Sequence, residues 1–468
     1  MFRFDKKSGI PLYQQLYEQL RIQITDGILT KGQKLRPTRE LSTEYHLSRN
    51  TVIQAYKQLE VEGYVRSVIG SGYYVEDVSP LGGFEHCCQA ELHPMRKSKE
   101  PDMLYDFFYG DLDFNCYRSK TWRKCLLEAY EILAAKKIVS YGEPQGIREL
   151  RRALSKYLHL SRGVRCSEDQ IILTSGHQQS LTLIARLFSD KNWRFAMEDP
   201  GYNGTRFVMQ QNGFSPIPIP LEQDGISTDA VQELSHTLLY ITPSHQFPMG
   251  SVLPITKRAA LLQWAEKNES YILEDDYDSE LRYHSLPIPS LQSIDHSDRT
   301  IYMGTFSKSL SPDLRVAYIV LPKRLLNIYQ EVSSHANCGV SSLLQYTLAL
   351  FIHSGEYQKH INIMRTYCQK KHDYIVSFFA EKSSDKVSLL GENGGLHFIL
   401  SLHTKNGQSD FIEKCAVEKV RVYSVEPFWI NHELCPQNQF LLGFGSLTLT
   451  EIPLALSALY NIICDVTS

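Results

Sequence analysis

The strongest constraint on the fold is a run of roughly 230 residues in which short apolar segments alternate with helical stretches. Ile171–Thr174, Phe195–Glu198, Leu238–Thr242, Tyr271–Glu274 and Ile301–Gly304 read as buried strands. Strands alternating with helices predict an α/β domain with a mostly parallel sheet. From about residue 325 helical segments dominate, and a small α+β region follows around Gly394–Leu400 and Phe440–Phe444. A chain of 468 residues is too long for one ordinary core, so two or three domains are expected.

Sheets of this kind bind ligands beyond the carboxyl ends of their strands, and those ends carry an unusual set of side chains. Strand Ile301–Gly304 runs into Thr305-Phe-Ser307-Lys308, whose amine can condense with an aldehyde once burial or nearby charge lowers its pKa. Strand Tyr271–Glu274 ends in Asp275-Asp276-Tyr277. A carboxylate at Asp275 can pair with a protonated pyridine nitrogen, and Tyr277 can donate to a phenolic ring oxygen. Ser175-Gly176-His177 leads from a strand into a helix, where Ser175 and free backbone N–H groups can cradle a phosphate. Arg315 can add a bidentate phosphate contact, Tyr202 can stack on a ring face, and His245 offers a further polar contact. Singly these are a loop acid, a helix cap, a packing aromatic and a surface lysine. Together, at successive strand ends, they predict a pocket for pyridoxal 5′-phosphate.

Residues 1–77 have a different pattern. Leu12, Leu16, Leu20, Ile24 and Ile28 predict an amphipathic helix starting near Pro11. A short helix follows over about Thr38–Tyr45. Ser48 suits an N-cap for the next, whose Val52, Tyr56 and Leu59 share one face. Tyr64–Val68 and Tyr73–Val75 flank Ile69-Gly-Ser-Gly72 as a two-stranded hairpin. Helix, turn, helix and hairpin together form a winged helix-turn-helix, which reads double-stranded DNA through its second helix. Ser48, Arg49, Asn50 and Thr51 open that helix, while Arg36, Arg39 and Ser71 are further phosphate or base candidates. The net charge of −3 puts any DNA contact on a local basic face, and residues 1–78 hold 11 Lys and Arg against 9 Asp and Glu. Residues 78–103 have neither period and read as a linker, leaving 104–468 as the second domain.

Ten cysteines without a C-x-x-C pair read as free thiols, so neither a disulfide framework nor a metal site is expected. With no signal peptide and no span long enough for a bilayer, the expected location is the cytoplasm, with no membrane partner.

Gly32-Gln-Lys-Leu-Arg-Pro-Thr-Arg-Glu-Leu, Leu47-Ser-Arg-Asn-Thr-Val, Leu59-Glu-Val-Glu-Gly-Tyr and Gly70-Ser-Gly-Tyr-Tyr-Val closely resemble the GntR winged-helix family. Tyr141-Gly-Glu-Pro-Gln-Gly, Thr242-Pro-Ser-His-Gln-Phe-Pro, Glu274-Asp-Asp-Tyr-Asp-Ser-Glu and Gly304-Thr-Phe-Ser-Lys-Ser-Leu resemble a fold-type-I aminotransferase. The whole chain is similar to the MocR (GabR-like) subfamily of GntR regulators. That resemblance implies a head-to-tail homodimer in which cofactor or an amino-compound effector alters operator binding, with little productive transamination. Two departures stand out. Leu35-Arg36-Pro37 replaces the family's usual Leu-Pro-Ser, and Ser446 falls where GABA-responsive members and aminotransferases carry a carboxylate-clamping arginine. Arg206 is a substitute anion candidate. An active aminotransferase with an appended DNA-binding domain is the alternative reading.

Overall fold

The computed structural model describes residues 2–5, 8–78, 103–114, 116–138, 140–190, 192–284, 288–382, 386–403 and 408–467. These fall into two compact units, residues 1–99 and 100–468. The predicted linker lies outside the described residues except at its ends, Val78 and Met103. Among the described residues no helix is long and apolar enough to cross a membrane.

The first unit has helices α1 (Leu12–Thr25), α2 (Thr38–Glu44) and α3 (Arg49–Val61), then strands β1 (Val65–Val68) and β2 (Gly72–Val75). Leu16, Leu20 and Ile24 of α1 pack against Leu41, Val52, Ala55, Tyr56 and Leu59, closing a core within this short stretch. Ile28 does not continue the apolar face: α1 stops at Thr25, and Ile28 stands 65% exposed beyond it. Ser48 caps α3, its hydroxyl accepting from the Thr51 N–H at 3.0 Å, which satisfies a donor that the helix itself leaves unpaired. β1 and β2 pair antiparallel, with Val65 opposite Val75, and form the wing.

In the second unit the strands are β3 (Tyr105–Asp106), β4 (Ile171–Thr174), β5 (Arg194–Asp199), β6 (Pro216–Glu222), β7 (Gly225–Ile226), β8 (Thr237–Ile241), β9 (Tyr271–Asp276), β10 (Thr300–Thr305) and β11 (Ala317–Val320). All but β3 join one sheet in the order β4-β11-β10-β9-β8-β5-β6-β7. Pairings β10–β9, β9–β8, β8–β5 and β5–β6 are parallel, while β11 runs antiparallel to both its neighbours. Helices cover both faces, so β8 and β9 are buried at every position, which is why they read as unbroken apolar runs. In β10, Tyr302 packs with Leu150, Leu154 and Leu158 on one face, while Ile301 and Met303 meet Leu181 and Ile184 on the other.

Sequence patterning missed β6 and β11. β6 is Pro216-Ile-Pro-Ile-Pro-Leu-Glu, and proline normally argues against a strand. Its three prolines alternate, so the missing N–H groups all face one side and the residues between them keep their donors.

The remaining strands, β12 (Val387–Leu390), β13 (His397–Leu402), β14 (Val420–Arg421), β15 (Tyr423–Ser424) and β16 (Gln439–Gly443), complete the α+β region. β12, β13, β16 and β15 form an antiparallel sheet, and β14 pairs parallel with β3. Helices Glu356–Lys382, Gln408–Val417 and Ile452–Thr467 contribute to the core against this region.

Candidate functional sites

A chamber of about 380 Å³ opens at the carboxyl ends of β9 and β10. Of the predicted residues, His177, Tyr202, Asp275, Tyr277, Thr305, Ser307, Lys308 and Arg315 all line it. The Lys308 amine donates to the main-chain oxygens of Tyr109 at 3.0 Å and Gly110 at 2.9 Å. Burial pulls its pKa down to about 8, against the opposing pull of Asp278 and Asp111.

Asp275 is buried. One carboxylate oxygen accepts from the Tyr240 hydroxyl and lies 3.5 Å from His177 Nε2; the other, Oδ1, is buried with no hydrogen-bond partner among the described residues. Burial raises its pKa, and His177 and Tyr240 offset part of that rise. Tyr277 bonds His245 Nδ1 at 3.0 Å, and the same nitrogen lies 2.7 Å from Asp278 Oδ2. His177 Nε2 and His245 Nε2 are likewise buried with no hydrogen-bond partner among the described residues. The His245 ring stacks against Tyr277 from outside the lining. Tyr202 meets Phe247 edge to face at 5.7 Å.

Arg315 adopts a left-handed backbone (φ 51°), a conformation that costs a non-glycine residue energy, and its guanidinium lies against Gly176. A Cβ on Gly176 would stand 2.5 Å from Arg315 Nη2, and φ there is +102°. Only glycine fits. Gly176 is the N-cap of helix His177–Leu187, so the guanidinium sits beside a helix start whose first N–H groups have no intrahelical acceptor. Thr305 donates to Ser307 at 3.0 Å within the loop leading to Lys308.

Ser175 departs from expectation: its hydroxyl and its N–H both turn to Gln179 Oε1, and it does not line the chamber. A glutamine one helical turn on competes for the same donors that a phosphate would use. Arg206 is likewise not a free anion contact, since its guanidinium donates at 2.8 Å to the carbonyls of Trp429 and Pro427. Ser446 points to the Asp106 carbonyl at 3.2 Å and does not line the chamber either.

Several wall residues were not anticipated: Phe108, Tyr109, Gly110, Phe247, Asp278 and His397. Asp278 stood one position past Tyr277 and was available to the same strand-end argument. His397 opens a mostly apolar strand, and its Nε2 lies 3.0 Å from the Pro248 carbonyl. Burial and neighbouring His245 lower its pKa to about 3, so it is neutral. No local signal marked Tyr109 or Gly110. A third feature not foreseen is His284, His372 and Asp373, whose ligating atoms gather within 4.8 Å. Both rings bond the same Asp373 oxygen, at 2.7 and 2.9 Å.

On the winged helix, Arg39, Ser48, Arg49 and Asn50 are exposed, and among the described residues neither Arg39 nor Arg49 has an ion-pair partner. Other candidates are engaged locally. Arg36 pairs with Glu44 at 2.5 Å, Thr51 with the Ser48 hydroxyl at 2.8 Å, and Ser71 with the Tyr74 hydroxyl at 2.6 Å.

A winged helix and an aminotransferase-type ligand chamber on one chain define a class of two-part regulators. Comparison with known proteins agrees. Residues 12–75 match the bacterial regulatory proteins of the gntR family, and residues 109–438 match aminotransferase class I and II. The chain is 36% identical to the HTH-type transcriptional regulator YdeL of Bacillus subtilis, over 96% of each chain. It is 33% identical to a protein of Rhizobium meliloti described as "Probable rhizopine catabolism regulatory protein MocR", covering 85% of this chain and 83% of that one. It is 31% identical to the pyridoxine biosynthesis transcriptional regulator PdxR of Corynebacterium glutamicum, covering 92% and 91%. Among solved structures, a Pyrococcus horikoshii kynurenine aminotransferase in complex with PMP superposes with a TM-score of 0.69 at 24% identity, over 78% of this chain and 92% of that one. The chain belongs to the MocR-like group of the GntR family, with an aminotransferase class I and II domain as its second part.

Proposed function

We propose that the protein is a bacterial transcription regulator: its winged helix binds double-stranded operator DNA, and its second unit senses pyridoxal 5′-phosphate or an amino compound presented to that cofactor. Residues 1–77 carry the DNA contact and 104–468 the sensor, acting as a head-to-tail homodimer in the cytoplasm.

The observation that carries this reading is the meeting of Lys308, Asp275 and Arg315 in one chamber, with Asp275 Oδ1 buried and bare. A buried acceptor left in that state costs roughly 1–3 kcal/mol, and a ligand N–H removes the cost. A pyridinium nitrogen is such a donor, and its positive charge would hold Asp275 ionised against burial. Tyr277, which lines the chamber with His245 behind it, suits the phenolic oxygen. Arg315, Thr305, Ser307 and the N–H groups of Gly176 and His177 suit the phosphate, and Tyr202 one ring face. Bound there, the cofactor supplies an aldehyde carbon and an electron-withdrawing ring. Lys308 supplies the amine, which reacts only when unprotonated.

Ser446 favours the regulator over the aminotransferase reading, because a transaminase holds its substrate carboxylate against an arginine, and among the described residues no arginine but Arg315 lines this chamber. Half-transamination of alanine, glutamate or GABA is therefore expected to be slow or absent.

The test is reductive trapping. Purified protein with cofactor should be yellow, and borohydride followed by peptide mapping should fix the cofactor on Lys308. Capture should rise as pH passes through about 8, because the reactive neutral amine becomes the major form above that value. A Lys308→Ala protein trapping cofactor equally well would end the assignment.

A further inference from the structure

The contacts of Lys308 show what its surroundings prefer. Its alkylammonium donates to two main-chain carbonyls, Tyr109 O at 3.0 Å and Gly110 O at 2.9 Å, and stands 5.6 Å from the centre of the Tyr109 ring. Both residues line the chamber, so the cradle is open to a ligand. Main-chain carbonyls accept and cannot donate, and a ring face attracts cations, so the cradle selects a cationic N–H donor.

We infer that the Tyr109 and Gly110 carbonyls, with the Tyr109 ring, form an ammonium subsite that takes a free alkylamine without a carboxylate once Lys308 is engaged elsewhere. This rests on the reading of Lys308 as the cofactor's partner. In that condensation a carbon–nitrogen double bond forms at Nζ and the aldehyde carbon–oxygen bond breaks. Two of the three ammonium hydrogens leave with that oxygen as water, so the nitrogen keeps at most one N–H. At least one of the two carbonyls then loses its donor. A polar group left bare in a half-buried, apolar-walled site favours a ligand that restores the bond.

Three further features define the ligand. Asp278 lines the chamber and Asp111 stands close enough to favour a cation at this point. Phe108, Phe247 and Leu396 give the wall an apolar character suited to an alkyl chain. Against a carboxylate, Ser446 is turned away to the Asp106 carbonyl, and Arg206 is bound to two carbonyls of its own chain. A buried cation does stand near Ser446, namely Lys371 at 3.2 Å from the Gly445 carbonyl, but Asp113 neutralises it at 2.6 Å.

The experiment is calorimetric titration of the full-length protein at neutral pH with n-butylammonium, 4-aminobutyrate and N,N,N-trimethylbutylammonium. Four proteins are compared: cofactor-free wild type, cofactor-loaded wild type with loading read from absorbance, and cofactor-free Lys308→Ala and Lys308→Met. The methionine variant keeps the apolar stem in case alanine weakens folding. Both variants and the loaded wild type should bind n-butylammonium about tenfold or more tighter than the cofactor-free wild type, whose own ammonium fills the cradle. 4-Aminobutyrate should bind the loaded protein about tenfold more weakly than n-butylammonium, and the trimethyl compound, which has no N–H, should gain nothing. No gain on either variant, or an equal gain for the trimethyl compound, overturns the cradle. A wild type that loads cofactor yet gains no n-butylammonium affinity also overturns the subsite, while the cofactor reading stands. If the wild type takes up no cofactor but the variants gain as expected, the cofactor reading fails and the ammonium cradle stands.

Discussion

On the winged helix, Arg39, Arg49 and Asn50 stand outside a core that closes within the first 78 residues. In the second unit Lys308 reaches carbonyl partners 198 and 199 positions away in the sequence, in the wall of a chamber. The first arrangement leaves side chains free for a large, rigid, polyanionic partner, and its local fold needs only caps and one apolar face per helix. The second gathers groups from strand ends, an N-terminal segment and the small sheet, and burial changes their chemistry: Lys308 falls to about 8 and Asp275 rises. A surface residue acts through what it can reach, whereas a chamber residue acts through what surrounds it.

That contrast predicts unequal mutational effects. The largest belongs to the chamber. Asp275→Ala removes a buried charged partner for the ring nitrogen and should weaken cofactor binding by about 10–100-fold, since bonds to charged groups contribute roughly 1.5–3 kcal/mol. Titration followed by absorbance measures it, and a loss of less than about threefold would detach Asp275 from the ring. On the winged helix, Arg49→Ala and Asn50→Ala should each lower operator discrimination by about 1–3 kcal/mol where the contact is bidentate. Arg39→Ala should instead weaken all sequences alike and reduce the salt slope by about one. If the double variant at Arg49 and Asn50 keeps full discrimination, recognition lies elsewhere on the wing or helix. The smallest effect is Ser48→Ala, which deletes the α3 cap and should lower stability by about 1 kcal/mol. A thermal melt of the full chain that leaves the first transition unmoved would make the cap bond dispensable.

The same contrast governs what was legible in the sequence. α1, the Ser48 cap and the wing hairpin announce themselves through residues a few positions apart, while Ile28 falls beyond α1 because helical spacing alone does not say where the helix stops. The parallel strands were legible because burial on both faces leaves an apolar run, but β6 hid behind its alternating prolines. In the chamber, Lys308, Asp275, Tyr277 and Arg315 follow from the rule that ligands meet strand ends. Tyr109, Gly110 and His397 do not follow from it, since tertiary packing alone brings them to the lysine. Ser175 shows the converse: a residue in the right place by pattern, diverted by Gln179.

In the proposed function, occupancy of the chamber alters operator binding. Moving a two-state regulator from mostly one form to mostly the other takes a differential affinity of about 10⁴-fold, which a covalent link at Lys308 with charge-assisted phosphate contacts can supply. The direct measurement is an operator titration at fixed salt on cofactor-free, cofactor-loaded and Lys308→Ala protein. Loading should shift the wild-type curve, and Lys308→Ala should stay on the cofactor-free curve whether or not cofactor is present. Identical curves for all three, with a shift only after an amino compound is added, would contradict it by showing that cofactor occupancy alone carries no signal.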